Sequence, residues 1–244
     1  MISIDVIWAA AIGYFLGSIP FAFITVKIFL GGLDIRTIGS KNVGGRNVVR
    51  AFQHKEKPKS IAYTAGIVVA ILDILKGFFA MWIAVAISYT VGHSDAWVIA
   101  FAGPAAILGH NWCIWLWSHA GRGVASTLGS MIFFNPVFLP LWLVAFFGLS
   151  TICFYSAITY IVSFIVMGLI FLSWPWFLSP IGMFADPKTM ANPSFGLVAM
   201  VTMFAITLIV ITRQKANFEK IERGEASRMK LWKIFKGKAD EALK

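Results

Sequence analysis

Three cations, three glycines and two asparagines fall within the twelve residues Gly39-Ser-Lys-Asn-Val-Gly-Gly-Arg-Asn-Val-Val-Arg50. That mixture suits the binding of phosphate. Glycine lets the backbone approach a ligand closely, and free N–H groups at a helix start attract anions. A helix beginning near Asn42 would put Asn42, Arg46 and Arg50 at i, i+4 and i+8, on roughly one face. Two guanidiniums and an amide beside Gly39 and Ser40 then form a phosphate-binding array. A plainer reading is a positive loop that only fixes topology; the glycines and asparagines between the charges favour a site.

Two further groups carry chemistry. Gly109-His110-Asn111 precedes Ala120-Gly-Arg-Gly-Val-Ala-Ser-Thr127, where Arg122 stands between Gly121 and Gly123 ahead of an apolar run. This is again an anion cradle, shorter than a Walker loop and without its Gly-Lys-Ser/Thr ending. A lone histidine such as His110 is more often structural than a general base. Asp73 and Lys76 stand at i and i+3 inside an apolar stretch. Ionisable groups at membrane depth face the bundle interior and serve function or pair with each other; the sequence leaves both readings open. There is no Ser-His-Asp set and no acidic metal cluster. The fifth residue after each histidine is Lys59, Val98, Trp115 or Val124, so no His-x4-Asp acyltransferase box exists. Neither metal nor cofactor is expected.

These groups must be positioned by membrane helices. The chain is 59% hydrophobic and only 13% charged, with a mean hydropathy of +0.79, too few charges to cover a soluble domain. Apolar stretches at roughly 6–30, 60–92, 96–117, 124–175 and 195–212 each approach or exceed the ~20 residues that cross a bilayer. The first is too long for a signal h-region and has no cation before Lys27. Cys113 and Cys153 lie in apolar segments and read as buried small hydrophobes.

Charge placement orients the spans. Of 21 Lys/Arg, seven lie between Arg36 and Lys59 and ten between Arg213 and Lys244. Cationic loops remain cytoplasmic, so loop 31–59 and the C-terminus share that side, which demands an odd number of passes with the N-terminus outside. The 124–175 stretch is too long for one helix and predicts three passes, broken near Asn135–Pro136 and near Ser150–Thr151. The expectation is an all-α polytopic bundle of about seven spans over 1–212, with a basic cytoplasmic tail over 213–244. In the tail, Met229, Leu231, Trp232, Ile234 and Phe235 alternate with cations, a pattern for an interfacial helix. The counter-charge is anionic membrane lipid rather than nucleic acid.

Read in order, Gly17-Ser-Ile-Pro20, Asp34-Ile-Arg36, Gly39-Ser-x-Asn-Val-Gly44, Asn47-x-x-Arg50, Leu72-Asp-x-Leu-Lys-Gly77, Gly109-His110, Gly121-x-Gly-Val-Ala125, Arg213, Asn217 and Gly224-Glu225 resemble the bacterial acyl-phosphate:glycerol-3-phosphate acyltransferases. These are integral membrane enzymes that start phospholipid synthesis. The resemblance covers residues 13–225 and implies seven spans in the cell inner membrane. It implies transfer of a fatty acyl group from acyl phosphate to glycerol 3-phosphate, giving lysophosphatidate and phosphate. Carried over residue by residue, it assigns the reaction to Ser40, Arg50 and Arg122. Substrate binding falls to Gly39, Asn42, Arg46, Asn47, Asp73, Lys76, His110, Gly121, Gly123, Gln214 and Asn217. The chain departs from the family at Lys41, a usual glycine; at Gly45-Arg46, a usual Ala-Thr; at Ala120, a usual glycine; at Arg122, a usual lysine; and at Gln214, a usual histidine. Two other classes remain beside this one: an inactive relative that binds lipid phosphate, and a small anion transporter, which would carry deep cations beyond Lys76.

Overall fold

A computed structural model describes residues 3–92, 96–153, 155–173 and 195–226. The expected external turn at 93–95, the segment at 176–194 and the amphipathic pattern at 229–236 lie outside the described residues.

Among the described residues the chain is helical apart from one short hairpin and the loops. Helix α1 (Ile4–Gly17) is followed by α2 (Phe21–Phe29), α3 (Gly45–His54), α4 (Lys59–Thr90) and α5 (Trp97–Asn111). Strands β1 (Trp112–Cys113) and β2 (Ser118–His119) then pair antiparallel. Helices α6 (Val124–Phe134), α7 (Phe138–Cys153), α8 (Ser156–Ser173), α9 (Phe195–Thr212) and α10 (Lys215–Glu222) complete it.

Local chemistry sets most boundaries. The break between α1 and α2 falls at Ser18-Ile19-Pro20, where proline disfavours a helical residue before it. The break at Asn135–Pro136 occurs as expected: Pro136 lacks a donor, and the Asn135 side chain accepts from the Val137 N–H at 2.9 Å. The second break falls after Cys153, where α7 ends, and before Ser156, where α8 begins, rather than at Ser150–Thr151. Those two hydroxyls donate back to the Phe147 and Gly148 carbonyls inside α7, so they continue the helix. Residues 112–117 leave the helix expected over 96–117, because Ala120 and Gly121 donate to the Asn111 and His110 carbonyls and draw the chain into the hairpin.

By length and apolarity, among the described residues, Ile4–Phe29 and Lys59–Thr90 can each cross a bilayer, and α9 with α10 passes the same test as a pair bent by 48°. Helix α6 has 11 residues, a rise of about 16 Å, roughly half the ~30 Å hydrocarbon core.

Small residues pull the helices together. A β-carbon on Gly17 would lie 2.0 Å from the Ala106 carbonyl oxygen, and one on Gly129 only 1.9 Å from that of Ile74. The first contact seats α1 on α5 and the second seats α4 on α6, backbone against backbone. The main core gathers Met81, Ile99, Ile107, Met131, Phe133, Phe164 and Met203. A second cluster, with Val26, Ile35, Val48, Phe52 and Val69, lies under loop 31–59 and fixes α3 against α4.

Candidate active site

A cavity of about 610 Å³ opens where loop 31–59, the Arg122 turn and α10 meet, within the size range of ligand sites. Its lining includes Gly39, Ser40, Asn42, Arg46, Asn47, Arg50, Asp73, His110 and Arg122. It also includes Ala70, Ile74, Val124, Leu128, Trp142 and Tyr160, from α4, α6, α7 and α8.

Helix α3 begins at Gly45, not near Asn42, because Gly44 is extended at φ −166°. Arg46 and Arg50 therefore share a helix face while Asn42 joins them from the preceding loop. Gly39 is left-handed at φ +54°, and a β-carbon there would meet the Asn47 Oδ1 at 2.7 Å and the Arg50 Cδ at 2.9 Å. Only glycine leaves room for both. Asn47 is spent on the loop: its Oδ1 accepts from the Ser40 N–H at 3.1 Å, and its Nδ2 donates to the Ile35 and Ile38 carbonyls, both at 3.0 Å. Its amide shapes the backbone that presents Ser40.

The Arg122 turn is tied on both sides. The Val43 N–H donates to the Ala120 carbonyl at 2.9 Å, joining loop 31–59 to the turn. The Arg213 Nε donates to the Gly121 carbonyl at 3.2 Å while its guanidinium lies 5.4 Å from the Trp112 ring centroid. A β-carbon on Gly121 would overlap the His110 imidazole, and Gly123 caps α6 at φ +77°. Both glycines are dictated by packing and turn geometry. Burial lowers the Arg122 pKa; Tyr160 opposes this, and the neighbouring charges of Arg46 and Arg50 add to it. Arg122 stays cationic nonetheless, so an anion in the cavity relieves the repulsion among the three guanidiniums.

Helix starts reinforce the charge. Gly45 and Arg46 open α3, Val124 and Ala125 open α6, Ser156 and Ala157 open α8, and Asn217 lies in the first turn of α10; all line the cavity. Helices α3, α6 and α10 have no side-chain cap bond, leaving amide groups and positive dipole ends for a ligand.

Asp73, Lys76 and His110 form a buried floor. The Lys76 ammonium lies 2.8 Å from the Asp73 carboxylate, both side chains 4% exposed, and donates to the Ile19 carbonyl at 3.0 Å. The His110 Nδ1 lies 3.6 Å from the same carboxylate. Asp73 and His110 reach the cavity; Lys76 is turned toward the α1–α2 break. Gln214 is fully buried behind the lining, and its Oε1 accepts from the Asn217 Nδ2. Among the described residues no cluster of three His, Cys, Asp or Glu side chains exists.

Sequence reasoning missed Trp142, Tyr155, Ser156, Tyr160 and Lys220, and it quoted Glu225 only within a motif without a role; all of these line the cavity. Lys220 stood three residues after Asn217, one helical turn on. Trp142 and Tyr160 gave no signal, since an aromatic ring in an apolar span reads as core.

Residues 7–224 match the family described as glycerol-3-phosphate acyltransferase. A glycerol-3-phosphate acyltransferase of Dehalococcoides mccartyi is 39% identical over 127 residues, covering 52% of this chain and 54% of its own. One from Thermus thermophilus is 34% identical over 136 residues, covering 56% and 60%. The chain thus spans between half and two thirds of these relatives' length, whereas one from Synechococcus elongatus aligns over 93% of this chain and 95% of its own at 30% identity. The crystal structure of an integral membrane glycerol 3-phosphate acyltransferase, PlsY, in its glycerol 3-phosphate form has the same fold, with a TM-score of 0.68 at 24% identity over 94% of this chain and 98% of that one. By its match over nearly the whole length and by this shared membrane fold, the chain belongs to the glycerol-3-phosphate acyltransferase family.

Proposed function

We propose that the protein transfers a fatty acyl group from acyl phosphate to glycerol 3-phosphate, producing lysophosphatidate and inorganic phosphate at the membrane. The observation that carries this reading is the convergence of Arg46, Arg50 and Arg122 on one cavity that apolar side chains of α4, α6 and α7 also line. Both substrates carry phosphate, and the acyl tail requires a dry wall. In this reading Arg50 and Arg122 hold the two phosphates, Ser40 and Asn42 orient the acceptor, and Arg46 adds charge at the start of α3. Asp73, Lys76 and His110 order the floor, Gly39, Gly121 and Gly123 shape the two turns, and Asn47, Gln214 and Asn217 complete the frame.

The step needs little covalent chemistry from the protein. The acceptor hydroxyl attacks the acyl carbon, the bond from that carbon to the phosphate oxygen breaks, and the hydroxyl proton passes to the departing phosphate, whose second pKa is near ~6. The guanidiniums stabilise the charge gathering on the leaving group, and the two phosphate sites supply proximity. Gln214 lies behind Asn217 rather than in the cavity, which weighs against reading its replacement of histidine as the mark of an inactive relative.

The finer architecture belongs to the same proposal: seven passes in the cell inner membrane, the N-terminus outside, loop 31–59 and the cytoplasmic C-terminus together. A membrane domain over 1–212 is followed by the basic segment 213–244, whose first helix closes the site. Purified protein supplied with acyl phosphate, or with acyl-CoA instead, and glycerol 3-phosphate tests the chemistry; lysophosphatidate is expected from the first donor alone, without added metal. Formation from acyl-CoA, or from neither, would set the reading aside.

A further inference from the structure

The hairpin between α5 and α6 carries the most exposed aromatic surface among the described residues. Trp117 is 93% exposed and Trp115 61%, with Ile114 also exposed. Trp117 adopts φ +47°, a left-handed conformation that a β-carbon disfavours; the strain aims an indole outward, where it buries nothing of its own chain.

The surroundings indicate what meets it. The Arg36 Nη1 donates to the Leu116 carbonyl at 3.3 Å, tethering the hairpin tip to loop 31–59, while the Arg36 charge is committed to Asp34 at 2.7 Å. The Lys27 ammonium stands 5.3 Å from the Phe23 ring and the Arg36 guanidinium 5.5 Å from the same ring. With the Arg36 charge offset by Asp34, Lys27 adds a positive charge beside the Phe23 ring that Arg36 also covers. On its own helix, Ile24, Ile28 and Phe29 are exposed beside it, so the outer surface passes from apolar side chains to a cation and two indoles. Indoles and lysines at one level, next to an apolar band, match the headgroup region of a bilayer with anionic lipid.

We propose that the hairpin tip, Ile114–Trp117, inserts into the headgroup–acyl boundary of the leaflet beside the cavity and fixes the depth of the Arg122 turn. The tip and the turn are one continuous piece: β2 leads into Ala120 and Gly121, whose N–H groups donate to the Asn111 and His110 carbonyls at 3.0 and 2.9 Å. Anchoring the tip therefore sets the level at which Arg122 meets the headgroup of a lipid-borne substrate. This second consequence rests on the acyltransferase reading; the insertion itself does not.

A nitroxide on Trp117→Cys, and separately on Trp115→Cys, in a Cys153→Ser background tests the insertion in vesicles of phosphatidylethanolamine and phosphatidylglycerol. Reference labels sit at Lys55, in exposed loop, and at Ile71, on the exposed face of α4. Both tip labels are expected to be open to oxygen and shielded from a water-soluble nickel chelate, at a depth between the two references. Chelate access equal to that at Lys55 would overturn the proposal, as would protection from both reagents, which would mean a covering protein chain. In the same vesicles, replacing both Trp115 and Trp117 by serine should raise KM for a long-chain acyl phosphate on the order of tenfold, leaving KM for glycerol 3-phosphate unchanged. Unchanged values for both would refute the depth-setting role. Silence of the wild type toward both substrates would instead count against the acyltransferase reading, while the label depths still decide the insertion.

Discussion

The backbone N–H of Val43 donates to the carbonyl of Ala120 at 2.9 Å, across two loops far apart in sequence. This bond joins the segment carrying Arg46 and Arg50 to the turn carrying Arg122. The proposed site for two phosphates needs cations at fixed separation, and the bond ties the two cation-bearing segments through backbone rather than through flexible side chains. Arg213 braces the same turn from α9's end through the Gly121 carbonyl.

Arg50→Ala is expected to lower kcat/KM about 100-fold, in the range for loss of one donor to developing charge. Lys57→Ala, an exposed cation on the same loop outside the cavity, should change it less than about twofold. Steady-state kinetics on both variants check the pair; equal small losses would reduce the loop to a topology signal.

At position 122, alanine should abolish turnover, whereas lysine keeps the charge and should retain it. Arginine and lysine differ in shape as well as reach, so Arg122→Lys should alter KM for acyl phosphate more than stability. Kinetics paired with a thermal melt in detergent separate the two effects.

The buried Asp73–Lys76 pair makes a stability prediction. Lys76→Ala leaves the carboxylate without its ammonium and should destabilise the fold by about 3–5 kcal/mol. Lys76→Met combined with Asp73→Asn removes both charges and should recover most of that loss. Chemical denaturation of the two proteins in one detergent measures the difference.

Lys41 sits at φ +56°, where a side chain costs about 1–2 kcal/mol relative to glycine. Lys41→Gly should therefore raise the melting temperature, despite removing a cation from the loop; a lower one would show that the Lys41 side chain contributes more than the strain removes.

Much of this was legible in the sequence because it rested on local rules. Pro136 ended a helix, the glycines around Arg122 marked a turn, and a mutual ion pair was one of the two readings that Asp73 and Lys76 allowed. What escaped depended on tertiary context. The Gly44–Gly45 pair moved the start of α3 past Asn42, and Ser150 with Thr151 bonded back into α7 instead of breaking it. The hairpin at 112–119 hid inside an apolar run, since its ladder forms only once Ala120 and Gly121 fold back on α5. Trp142 shows the limit most clearly. It donates to the Ser163 hydroxyl at 3.0 Å and stacks on Phe146 and Tyr160, a cavity wall built from residues that look like ordinary core.

In the proposed reaction the cavity couples cleavage of acyl phosphate to acylation of glycerol 3-phosphate. The most direct test of this coupling is stoichiometry in purified, reconstituted protein, with phosphate release and lysophosphatidate formation followed together. Equal amounts of the two products, with no phosphate released when glycerol 3-phosphate is omitted, is the result expected. Phosphate released without lysophosphatidate, or neither product from any acyl phosphate, would contradict it.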